Sequence, residues 1–319
     1  MDYFKEVIGQ EKAIAVLRKA LSTGNIHHAY LFTGPPGVGK KTAARAFAQA
    51  IILMDDLQGE SYLREGVHPD FMNIKKLEKK TQIGIEQINR EMEPWLALRP
   101  YRANHRVVII NDAHLLSVPA ANALLKTLEE PTTGAVIILV ADDLMWLETI
   151  VSRCQSLKFG LLSQPELEDY LSLKGLDGKR SASLARLAQG CLSTAIQLAQ
   201  SDTLEQQWHN ALALISNLAT GDEIEVFNCA EEMDRQPEIM TILLTTILRD
   251  IYIYQSTHQS ELLVVQENAL KYQAFRPLEG KRVLDSLASI EELRNKYRGP
   301  IRSLLLSINI SYHLRDALQ

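Results

Sequence analysis

Along residues 1 to 160, stretches with apolar residues every three or four positions alternate with short, wholly apolar runs. "QEKAIAVLRKAL", "KTAARAFAQAIIL" and "AANALLKTLEE" carry the helical spacing, whereas "AYLFT", "RVVIIN" and "AVIILVA" read as strands. Strands apolar at every position, separated by helices, predict a parallel sheet covered on both faces, an α/β fold. Met54 to Gln82 is polar and irregular and reads as an insertion.

From Leu161 the pattern turns helical. "SQPELEDYL" opens with Ser163 as N-cap and Glu166 three residues on, a capping box. "SASLARLAQG", which stops at Gly190, and "CLSTAIQLAQ" complete a small helical module. The remainder carries wide apolar stripes, as in "IMTILLTTILRDIYIYQ" and "KRVLDSLASIEELRNKY", and predicts a helical bundle. The expected division is 1–160, 161–203 and 204–319.

Composition narrows the function classes. The 319 residues carry a net charge of −5, so there is no global pull toward nucleic acid or anionic lipid. No apolar run approaches the ~20 residues that span a bilayer, and the charged N-terminus lacks a signal core. The three cysteines, Cys154, Cys191 and Cys229, are too scattered for a disulfide framework or a zinc site. A cytoplasmic protein without zinc or membrane contact is expected.

The candidate chemistry begins at "GPPGVGKKTA". After a strand and before a helix, Gly34, Gly37, Val38 and Gly39 form a loop whose backbone N–H groups turn toward an anion, and Lys40 reaches outer phosphates. The next residue ordinarily offers a hydroxyl to Mg²⁺. Here it is Lys41, a cation, and Thr42 is rotated by about 100° and cannot substitute simply. The strand "VVIIN" ends at Asn111 and Asp112, where a hydrolysing enzyme needs acidic residues; Asn111 is uncharged. Asp112 reads equally as an N-cap of "AHLL" and as a residual acidic group. With both metal-handling positions altered, Mg²⁺ is not expected, and ATP or ADP remains as a structural ligand. His68 in "HPDF" reads as part of a turn starting a strand, not as a metal ligand. Cys154 reads as a packing residue. Lys75 to Lys80 is a basic run of the solvated kind, and Arg99, Arg102, His105 and Arg106 form a denser patch, a candidate phosphate contact.

Quoted in order, "VIGQEKAI", "HHAYLFTGPPGVGK", "HPDF", "IGIEQINREM", "RVVIINDAHLLSVPAANALLKTLEEP" and "TIVSRCQSLKF" resemble the bacterial clamp-loader branch of the AAA+ ATPases. The resemblance is strong over residues 4 to 200, and "NKYRGPIRSLLLSI" resembles the last helices of that family. It implies an AAA+ P-loop core, a small helical lid and an all-helical collar. It implies work within DNA polymerase III, loading a sliding clamp on primed DNA together with gamma/tau and delta subunits. It implies that Arg153 of "SRC" is an arginine finger reaching a neighbour's nucleotide; from the tripeptide alone, a surface arginine paired with a carboxylate stands equal. The family's polar sensor falls at Val140 or Ala141 and its sensor arginine at Ser193, and no cysteine stands where the motor subunits bind zinc. These departures imply a subunit that does not hydrolyse ATP itself; the alternatives are a motor ATPase of the gamma/tau type and a DNA-remodelling AAA+ protein.

Overall fold

A computed structural model describes residues 2–78, 80–142, 148–201, 203–299 and 301–319. Lys79 of the basic run and Pro300 of the C-terminal motif lie outside the described residues. The chain divides into two compact units, one of Met1–Glu166 with Gly190–Ser193, the other of Leu167–Gln189 with Thr194–Gln319.

The first unit is built on five parallel strands in the order β2-β3-β4-β1-β5: β1 Ala29–Thr33, β2 Phe71–Ile74, β3 Arg106–Ile110, β4 Ala135–Ala141 and β5 Gln155–Lys158. Register runs Ala29 opposite Ile137 and Val107 opposite Val136, so the carboxyl ends of β1, β3 and β4 lie together. The alternation of side chains explains the apolar runs. Tyr30, Phe32, Val107, Ile109, Ile138 and Val140 enter one core with the helices Glu11–Thr23 and Lys40–Leu53. Leu31, Val108, Ile110, Ile137 and Leu139 enter a second core with Val118–Glu129. A strand buried on both faces has no place for a polar alternate.

Two elements depart from the sequence reading. Met54 to Gln82 is not an irregular insertion. It contains the helix Glu60–Glu65 and the edge strand β2, pinned by Asp70, which is wholly buried. The Asp70 carboxylate accepts the N–H groups of Tyr101 (2.7 Å), Arg102 (2.6 Å) and Ala103 (3.0 Å), so a short edge strand is held by a distant loop. β5 was not foreseen because only Leu157 among its residues is buried. The capping box is present: the Ser163 N–H donates to Glu166 Oε2 at 2.7 Å, opening the helix Gln164–Leu173.

The second unit is all helical. Glu223–Arg235 packs on Ser303–Leu318, which packs in turn on Gly280–Asn295, while Leu204–Thr220 lies against the long helix Pro237–Thr257. Asp250, fully buried in that long helix, accepts the N–H of Val264 at 2.8 Å and pairs with Arg249 at 3.2 Å. Among the described residues no helix is long and apolar enough to cross a membrane.

Candidate functional site

The glycine loop joins β1 to the helix Lys40–Leu53 at the carboxyl edge of the sheet, where α/β sheets bind ligands. Glycine is required at two points by space. A Cβ on Gly34 would lie 2.0 Å from the Phe159 carbonyl oxygen, and one on Gly37 would lie 2.1 Å from Ser193 Oγ. Both also have positive φ, 138° and 76°. Val38 is buried, and Gly39 at φ 99° is the N-cap. Gln10, unassigned from sequence though inside the "VIGQEKAI" motif, braces the loop: its amide donates to Val38 O (3.3 Å) and Gly160 O (2.8 Å). Ser193 gives its backbone N–H to Gly37 O at 3.0 Å.

The charges of this cleft are spent on one another. Lys40, 4% exposed, donates to Gly34 O at 2.6 Å and Pro35 O at 2.5 Å and pairs with Asp142 Oδ1 at 2.8 Å. Val140 and Ala141 are buried as apolar strand residues, and Asp142 is the group that sequence reasoning missed. It directly follows β4, which neighbours β1. A carboxylate just past an apolar strand was the available signal, but only the strand order makes it a neighbour of Lys40. His114 Nδ1 accepts the Asp142 N–H at 3.2 Å and fixes that turn.

Lys41 pairs with Asp112 Oδ2 at 2.9 Å. This corrects the N-cap reading of Asp112, which lies in the left-handed region at φ 55° and makes no capping hydrogen bond. Asn111 donates from Nδ2 to Asn73 Oδ1 at 2.5 Å, and Thr42 points to solvent from the helix. The set does not fit Mg²⁺. A magnesium ion wants a hydroxyl and carboxylates around an octahedron. Here the hydroxyl position holds an ammonium, the first acidic position an amide, and the remaining carboxylate already neutralises that ammonium.

In the basic patch, Arg102 and Arg106 have internal partners. Arg102 binds Asp56 with Nε–Oδ2 at 2.6 Å and covers the Tyr62 ring, and its guanidinium holds the Asp56 carboxyl below the ordinary carboxylate range. Arg106 is 6% exposed, stacks on Trp95 and donates to the carbonyls of Trp95 (2.9 Å) and Arg99 (3.2 Å). Burial lowers the His105 pKa and so favours its neutral form. Arg99 alone of the four is exposed, because a loop folded on itself uses its cations internally. His68 behaves as the turn reading requires, with Nε2 at 3.2 Å from Asp56 and Nδ1 accepting the Asp70 N–H.

Arg153 lies elsewhere on the unit, at a cavity of about 880 Å³ whose lining includes Lys19, Asn25, His27, His28 and Gln155. Its Nη2 pairs with Glu129 Oε1 at 2.6 Å, and Nη1 donates to Thr149 O at 2.8 Å. Burial, with His27 secondary, pushes the His28 imidazole below its ordinary value. Cys154 beside it is packed against the second core, and burial raises its thiol to about 12, so it is no nucleophile at neutral pH.

A strand, a glycine loop with its lysine, and a helix, set in a five-stranded parallel sheet, define a P-loop nucleotide-binding fold. Residues 9–163 match the family described as DNA polymerase III, delta subunit. The chain is 35% identical to DNA polymerase III subunit tau of Bacillus subtilis over 49% of its own length and 29% of that protein. It is 32% identical to subunit tau of Escherichia coli over 61% and 32% of the two chains, and 30% identical to subunit gamma of Buchnera aphidicola over 53% and 48%. The matched segment thus spans less than half of those relatives. A DNA polymerase III gamma subunit-related protein of Thermotoga maritima superposes with a TM-score of 0.47 at 18% identity, over 95% of this chain and 99% of that one. The RuvB Holliday junction branch migration motor of the same organism gives 0.45 at 18%, over 66% and 65%. Residues 9–163 are thus similar to the family described as DNA polymerase III, delta subunit, and to subunits named tau and gamma.

Proposed function

We propose that this chain is a non-hydrolysing clamp-loader subunit of DNA polymerase III, of the delta-prime type. Residues 161–203 are read as its lid and 204–319 as its collar. It works with gamma/tau and delta subunits to place a sliding clamp on primed DNA, and it lends Arg153 to a neighbour's nucleotide site. The observation that supports the reading is the ion pair of Lys41, at the motif's hydroxyl position, with Asp112. The glycine loop stays intact, so ATP or ADP is retained as a structural ligand without Mg²⁺. A planar, permanently charged guanidinium at the edge of a cavity is suited to stabilising charge that spreads over a transferring phosphoryl group.

The second reading, a motor ATPase, is favoured by the relatives themselves, which are named tau and gamma. ATP turnover by the purified chain separates the two. The proposal expects none above background; turnover in Mg²⁺ that Lys40→Ala abolishes establishes the motor instead.

A further inference from the structure

Arg153 is not free in this chain. Its guanidinium is tied by Glu129 Oε1 at 2.6 Å and by the Thr149 carbonyl and Ser152 Oγ at 2.8 and 3.1 Å. Glu129 is the last residue of the helix Val118–Glu129. A carboxylate there faces the negative end of the helix dipole, so the helix itself gains nothing from it. Among the described residues lining the cavity it is the one carboxylate, beside Lys19, Arg153 and two histidines. The arrangement therefore places one negative charge where a phosphate of a neighbour's nucleotide would approach Arg153.

The strength of the tie matters. Arg153 and Glu129 side chains are 35% and 52% exposed. Exposed pairs of this kind are weak and shift an equilibrium by up to about fivefold. Such a pair holds the arginine in one pose when no anion is present and yields to a phosphate, whose charge is larger and whose oxygens match the same fork of N–H donors. We propose that Glu129 is a positioning residue for Arg153: it holds the guanidinium in a resting pose and competes with the incoming phosphate group for it. The proposal rests on the reading of Arg153 as a finger and adds its regulation. A competing internal partner lowers apparent affinity in proportion to the fraction of competent arginine.

The test uses the assembled complex of this chain with its hydrolysing gamma/tau-type partners and follows steady-state ATP turnover. Glu129→Gln is expected to lower KM for ATP two- to fivefold at low ionic strength with kcat unchanged, and the effect is expected to fade in ~1 M salt. Arg153→Ala is expected to lower kcat by about 10³, and adding Glu129→Gln to it is expected to change nothing more. An unchanged KM for Glu129→Gln, beside a slow Arg153→Ala, overturns the restraint and leaves the finger standing. A fall in kcat for Glu129→Gln also overturns it, because Glu129 would then be aligning the arginine for chemistry. An Arg153→Ala complex as fast as the unaltered one removes the finger, and the restraint with it.

Discussion

The two charged regions of the first unit use similar side chains in opposite ways. At the glycine loop, Lys40 is buried and bound by two carbonyls and Asp142, while Lys41 and Asp112 neutralise each other. At the cavity edge, Arg153 has one exposed carboxylate partner and a volume of about 880 Å³ before it. Among the described residues, the charges of the first cleft pair with one another. The second keeps a cation that an anion can take over. The proposed function rests on this contrast: charges paired internally at the glycine loop, and a guanidinium with a single exposed carboxylate partner at the cavity.

The largest expected break in this comparison is at Arg153. If that edge serves a neighbour, Arg153→Ala lowers ATP turnover of the assembled complex by about 10³, whereas Lys41→Ala in the same assay changes it less than about twofold. Stability gives the next effect. Asp70→Ala strands the N–H groups of Tyr101, Arg102 and Ala103, the last of them buried, and the buried Arg106 guanidinium, which stands 3.6 Å from Asp70, and should cost about 3–5 kcal/mol in thermal unfolding. An equal loss for Arg102→Ala, which breaks a partly exposed pair, would show that the loop is held by its cations and not by Asp70. A third experiment rebuilds the metal seat. With Lys41→Thr and Asn111→Asp together, calorimetric ADP binding should tighten about tenfold on adding Mg²⁺, while the unaltered chain shows less than twofold difference between Mg²⁺ and EDTA. If the double variant gains nothing, the loss of metal binding is not explained by these two side chains.

A fourth experiment tests the second unit. Burial raises the Asp250 carboxyl to about 6, against the opposing pull of the Val264 N–H and Arg249. Its folded value is above the unfolded one, so its proton is held more tightly in the folded state. Its contribution to stability is full below about pH 4 and is lost as pH rises through about 6, by roughly 1–3 kcal/mol. Asp250→Asn, which keeps an oxygen to accept the Val264 N–H, should remove this pH-dependent part of unfolding. A pH profile identical to that of the unaltered chain would refute the assignment.

Much of this was legible in the chain. Three wholly apolar runs fixed three central strands, since a strand covered on both faces has no polar alternate. The glycine loop was legible because its residues are local in sequence, and the replacement of hydroxyl and acid by Lys41 and Asn111 could be read letter by letter. β2 and β5 were not, because edge strands are short and half exposed and owe their place to partners far away, Asp70 and its loop for one.

By itself, then, the sequence determined the layered α/β core, the helical remainder and the residue types at each motif position, all of which follow from local periodicity and local turn geometry. Only the tertiary structure decided how the charges pair: Lys41 with Asp112 across 71 positions, Lys40 with Asp142, Arg102 with Asp56, Arg153 with Glu129. Charge pairing depends on distances of a few ångströms between separate elements, and strand order sets those distances.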